Sequence, residues 1–163
     1  MSIDLKTPSA ANSAPVNLQQ AAVDVGDVTR ALPHAVGPEK SLLSSMLKEP
    51  QEYIGIAIEE KLTKEHFYLP RHASLYGMLE ELFQQGQEVE LVSLVQKLLD
   101  RGLLDRVGGP GAVTEIYSYA PSPGHFRHHL QLVKDKHVLR SIIQNSNEAI
   151  EQAYDSPDEV AGL

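Results

Sequence analysis

Residues 66–83 read HFYLPRHASLYGMLEELF, and the spacing of their large side chains decides the fold class. His72, Leu75, Tyr76, Leu79, Leu82 and Phe83 stand at relative positions 0, 3, 4, 7, 10 and 11. At 3.6 residues per turn that series lines one face of a helix. Gly86 follows as the stop, because a glycine readily takes the left-handed conformation on which helices close.

The same arithmetic holds on either side. Upstream, Pro38 suits a first helical turn, Leu42, Leu43, Met46 and Leu47 form one face, and Pro50 stops the run. Ile54, Ala57, Ile58 and Leu62 give a second helix, with Thr63 placed to cap whatever follows. Downstream, Leu91, Leu94, Val95, Leu98 and Leu99 give a fourth helix closed by Gly102. Ala112, Val113, Ile116 and Tyr117 mark a fifth, from Gly111 to Ala120, after the Gly108-Gly109-Pro110 turn. Residues 1–32 are different: rich in Ala, Ser, Pro, Asn and Gln, without an aromatic residue or a sustained stripe, they read as a flexible tail.

The last helix starts after Pro123 and meets no breaker until about Tyr154, ahead of Pro157. Roughly 30 residues at 1.5 Å each span about 45 Å, more than a small core needs, so this helix should project. Its outer half carries Leu139, Ile143, Ser146, Ile150 and Ala153 at alternating spacings of four and three, a seam for another helix. Charge is segregated along it, with Arg127, Lys134, Lys136 and Arg140 ahead of Glu148, Glu151 and Asp155. That order opposes the helix macrodipole, and antiparallel pairing of two such helices would set basic halves against acidic ones. Every segment has a helical period and none alternates like a strand. The expected fold is all-α: a head of about five short helices over 33–121, then a long protruding C-terminal helix over 122–163.

At 163 residues and 42% hydrophobic, the chain has the material for one domain with a real core. The formal charge of -8 disfavours a sequence-independent grip on DNA phosphates, which is built from clustered Lys and Arg. With no cysteine there are no disulfides and no thiolate metal sites, and the composition suits a reducing cytoplasm. No apolar run reaches the length of a membrane span, and no signal peptide precedes the domain, so a cytoplasmic protein with no membrane partner is expected.

Chemistry-bearing clusters are sparse. His125, His128 and His129 fall at i, i+3 and i+4, yet no acid or further histidine lies within the adjacent turn, so they read as structural or exposed rather than metal-binding. His66 and His72 flank Phe67-Tyr68 in a pattern that helix packing explains. Glu59-Glu60 and Glu80-Glu81 read as solvated faces. No Ser, His and Asp set has a supporting elbow, and no G-x-x-x-x-G-K-[ST] loop exists to hold a nucleotide. No catalytic, cofactor-binding or metal residue is expected.

Pro33-His34 and Glu39 ahead of Leu42-Leu43, then Phe67, Tyr68, His72 and Leu75, then GQEVELVSLVQKLLDRGLLDRVGG at 86–109, Ala120-Pro121-Ser122, and the run Val133 to Arg140 occur in that order. Together they resemble the N-terminal domain of replicative DnaB-type DNA helicases, over about Pro33 to Tyr154. The chain departs from the pattern at Pro38-Glu39 for Ala-Glu, at Glu90 for an Asp N-cap, and at His129-Leu130 for Tyr-Ala. The resemblance implies a non-catalytic oligomerisation and partner-docking domain: a dimer through a helical hairpin, a ring-shaped collar, and a docking surface for the primase C-terminal domain and a helicase loader. It also implies that ATP and Mg belong to a separate motor domain. The chain stops where the hairpin's second arm would begin, as expected for a piece of a longer protein or for a stand-alone homologue completed in trans. Two other classes stand beside this one: a free-standing loading or inhibitory adaptor, and a small metal-dependent enzyme built on the histidines. For the partner or oligomer interface the sequence points to Leu139, Arg140, Ile143, Ile150 and Tyr154, since apolar residues beyond a compact core need a cover.

Overall fold

The computed structural model describes residues 31–119 and 124–155. Those residues form α1 (Val36–Lys48), α2 (Pro50–Glu59), a 3-10 turn (Lys64–His66), α3 (Pro70–Gln84), α4 (Leu91–Asp100), α5 (Gly109–Tyr119) and α6 (Phe126–Asp155), with no strand among them. The architecture is all-α, as the helical periods require. The expected tail up to residue 30, the Ala120-Pro121-Ser122 turn and the stretch from 156 onward lie outside the described residues.

Helix α1 is the hub, touching α2, α3, α5 and α6. Its sequence reads as one apolar face, but every residue from Leu42 to Met46 is buried, along with Leu47. A helix packed on several sides buries its polar residues too, and those must find partners. Ser44 Oγ donates to the Tyr117 carbonyl at 3.0 Å, and Ser45 Oγ to the Ser41 carbonyl at 2.9 Å. The same core takes in Ile54 and Ala57 of α2, the α3 stripe, Leu94 and Leu98 of α4, and Val113 and Ile116 of α5.

Pro50 and Pro70 open α2 and α3, where a fixed φ helps and a missing amide is no loss. Three helices end alike. After α2, α3 and α4 the chain takes one left-handed residue, Lys61, Gly86 or Gly102, and the next amide reaches back to the carbonyl five residues earlier. The sequence marks the two glycines; Lys61 carries no such mark. Leu62, placed in the second helix by its spacing, therefore sits beyond that helix's end, yet it is fully buried. Helix α5 begins at Gly109, earlier than expected, because Pro110 fits a first helical turn.

The inner half of α6 lies on the head through Phe126, Leu130 and Val133, with the Phe126 and Tyr53 rings 4.7 Å apart. Past Ser141 every residue to Asp155 is exposed. About 14 residues, roughly 20 Å of helix, stand clear of the head. Among the described residues, no helix is long and apolar enough to cross a membrane.

Candidate functional site

The motif residues scattered along the sequence converge where α6 leaves the head. Leu69, at the N-terminus of α3, has no side chain able to cap the helix, and Glu39 of α1 supplies one from across the fold. Its Oε1 accepts from the Tyr68 amide at 2.6 Å, and its Oε2 from the Leu69 amide at 3.5 Å and from His72 Nδ1 at 2.7 Å. A carboxylate at a helix N-terminus satisfies orphan amides and favours the dipole. Glu39 and His72 are both buried, and His72 Nε2 meets no hydrogen-bond partner among the described residues. With Nδ1 donating to Glu39, a neutral ring leaves only a lone pair unpaired at Nε2, which costs less than burying a second N–H there.

Arg140 reaches into the same place from α6. Its guanidinium donates to the Pro33 carbonyl at 3.0 Å and to the His66 carbonyl at 2.7 Å, and lies 5.7 Å from the centre of the Tyr68 ring. His34 stacks on that ring at 4.5 Å. Burial lowers the Arg140 pKa, while Glu39 and Tyr68 act in the opposite sense. The 3-10 turn that carries the His66 carbonyl is itself fixed, because the Thr63 amide donates to His66 Nδ1 at 3.0 Å. The His66 ring lies 4.5 Å from that of His137, and its pKa is lowered by burial first and by His137 next. One node thus ties α1, the 3-10 turn, the start of α3 and α6 together, and it sets the direction in which α6 leaves.

This placement corrects the sequence reading of Arg140. The residue was expected at a partner interface, yet it is 6% exposed and committed to two backbone carbonyls of its own chain. Leu139, Ile143, Ile150 and Tyr154 are where a partner can reach them, at 44%, 37%, 54% and 81% exposure. Val138 and Ile142, which the seam at spacings of four and three passed over, are exposed beside them. The expected pairing of basic with acidic halves loses most of its cations. Arg127 and Lys134 both reach Glu60, which caps the C-terminus of α2, at 2.9 and 3.5 Å, so Glu60 anchors α6 where the sequence suggests a solvated face. Glu81 likewise pairs with Arg101. The rings of His125, His128 and His129 neighbour one another, and no group of three or more metal-ligating side chains is assembled among the described residues.

The chain's relatives share this arrangement of helices. Residues 31–135 match the family model described as the DnaB-like helicase N terminal domain. The replicative DNA helicase DnaB of Pasteurella multocida is 29% identical over 122 residues, which are 75% of this chain and 26% of that protein. The chain therefore spans about a quarter of the length of such curated relatives. Among solved structures, the N-terminal domain of DnaB helicase from Mycobacterium tuberculosis superposes with a TM-score of 0.70 at 26% identity, covering 76% of this chain and 88% of that one. A DnaB-like replicative helicase, described with its interactions with primase, gives 0.63 at 29% identity, over 76% of this chain and 29% of that one. The matches fall on the N-terminal domain, which lacks the ATPase motor. This chain belongs to the family of DnaB-like helicase N-terminal domains.

Proposed function

We propose that this chain serves as the oligomerisation and partner-docking domain of a cytoplasmic replicative DNA helicase, without chemistry of its own. The observation that carries the reading is the outer face of α6. Val138, Leu139, Ile142, Ile143, Ile150 and Tyr154 are all exposed on a rigid helix whose inner half is already packed. An apolar stripe of that length in water favours a cover, and a helix from a second copy fits seam spacings of three and four. In this reading residues 33–121 are the head, residues 122–163 the arm, and the node around Arg140 the joint between them. The primase C-terminal domain and a helicase loader dock on the assembled surface, while ATP and Mg act in a separate motor segment. The solved helicase described with its interactions with primase supports the partner class.

Ile143→Asp tests this directly. It should lower the mass of the assembled particle in light scattering, weaken binding of the primase C-terminal domain about tenfold or more, and leave helicity intact. Unchanged mass and unchanged primase affinity would sink the reading.

A further inference from the structure

The contacts that hold α6 to the head change character along the helix. Near its start they are apolar, through Phe126, Leu130 and Val133. The last turns before the arm leaves are ionisable instead. Lys134, His137 and Arg140 follow one another at spacings of three and so are neighbours on the helix surface. All three act on His66 of the 3-10 turn. Lys134 does so through its charge, the His137 ring lies 4.5 Å from the His66 ring, and Arg140 donates to the His66 carbonyl at 2.7 Å.

This arrangement suits a neutral His66. Its Nδ1 accepts from the Thr63 amide at 3.0 Å, and the Thr63 hydroxyl stands 3.0 Å from the same nitrogen. With Nδ1 accepting, the ring's one hydrogen belongs on Nε2. A second proton, added at Nδ1, would face the Thr63 N–H, so the ring must swing away and the cap of the turn is lost. That proton also brings a full charge up to His137 and Lys134. Among the acids around the joint, Glu65 favours the charge, but it is already hydrogen-bonded by the Thr63 side chain and acted on by Lys64. Glu60 is engaged by Arg127 and Lys134, and Glu80 of α3 stands beyond Glu65. On the far side of Arg140, Glu39 is shared among Tyr68, Leu69 and His72, while His34 is stacked on Tyr68.

We propose that His66 and His137 form a proton-operated latch between head and arm. With both rings neutral, the 3-10 turn grips α6. A proton taken up at His66 Nδ1 breaks the Thr63 cap, displaces the His66 carbonyl from Arg140 and frees α6 from Lys134 onward, while the apolar contacts at its start keep it attached. Acid thus removes the arm's fixed direction and leaves its apolar face unchanged. The latch goes beyond the reading of α6 as an assembly arm and does not rest on it, since every group in it belongs to one copy. In the opened turn His66 meets water and titrates near ~6.5, above its value in the closed joint. Opening therefore takes up a proton between those two values, and within that window it grows up to about tenfold for each pH unit of acidification.

Amide exchange of the full chain at low concentration tests this. Protection is read relative to the amides of α3, which removes the intrinsic pH dependence of exchange. From about pH 7.5 to about pH 5.5, residues 63–67 and 134–140 should lose protection about fivefold or more, while residues 130–133 keep theirs. His66→Asn, which still accepts from the Thr63 amide, should hold the latch at both pH values. Lys134→Gln removes a cation that opposes the charged ring in the closed joint, so the loss on acidification should shrink. The proposal is overturned if the wild type keeps its protection at the lower pH, if α3 loses protection in step, or if His66→Asn responds as the wild type does. Should His66→Asn be unlatched already at about pH 7.5, Lys134→Gln decides, and a response equal to that of the wild type overturns the latch.

Discussion

Glu39 holds three donors at once, from a backbone stretch and an imidazole that lie about thirty residues away in sequence. Glu39→Gln keeps one acceptor oxygen but turns an amide group toward N–H donors and removes the negative charge beside Arg140. A loss of about 2–3 kcal/mol is expected, read from the midpoint of urea unfolding at constant slope. His66 adds a pH dependence at the same joint. Burial, His137 and Lys134 all disfavour its protonated form, so the folded chain releases that proton at lower pH than the unfolded chain does. Unfolding below about pH 6.5 therefore takes up a proton, and stability falls as the solution is acidified from there toward the folded value. His66→Asn, whose side-chain oxygen still accepts from the Thr63 amide, should flatten that part of the profile. An identical slope in wild type and variant would remove His66 from the account.

Among the elements, the Gly108-Gly109 turn ahead of α5 is the least forgiving. Gly108 has φ of +95°, and a Cβ there would come within 2.9 Å of the Ala112 side chain, inside the first turns of α5. Gly108→Ala should cost about 1–3 kcal/mol, from backbone strain and overpacking together, seen as a lower thermal midpoint. The turn was legible in the sequence as paired glycines, and the α3 stripe was legible as period, since His72, Leu75, Tyr76, Leu79 and Leu82 are all buried. Legibility fails where contacts run to backbone groups or across long separations. Arg140 looked like a surface base because a carbonyl at Pro33, 107 residues away, leaves no trace in a pattern of side chains. Lys61 hid a helix stop behind a residue type that rarely takes positive φ. The 3-10 turn at Lys64–His66 is too short to show a period at all. The charge order along α6 was visible, yet its inner cations serve Glu60 and the joint, a use that only three dimensions reveal.

On the scale of the whole molecule, α6 is one continuous helix with two different environments. Amides from Phe126 to Arg140 lie on the head, whereas those from Gln144 to Asp155 have only their own helix for protection. In dilute monomeric protein the outer amides should exchange with deuterium about a hundredfold faster or more than the inner ones, and concentrating the protein should slow the outer set alone. Uniform protection along α6 at the lowest concentration would mean that the arm is covered without a partner. The bond from Arg140 to Pro33 has a consequence in time as well as in space. It links the segment just ahead of α1 to the sixth helix, so a ribosome must release α1 to α5 before the joint can close. Until then α1 has neither α5 nor α6 to cover it, and the central helix of the fold stays half dressed. The arm's direction is therefore among the last features this domain acquires, and assembly through it waits on a completed head.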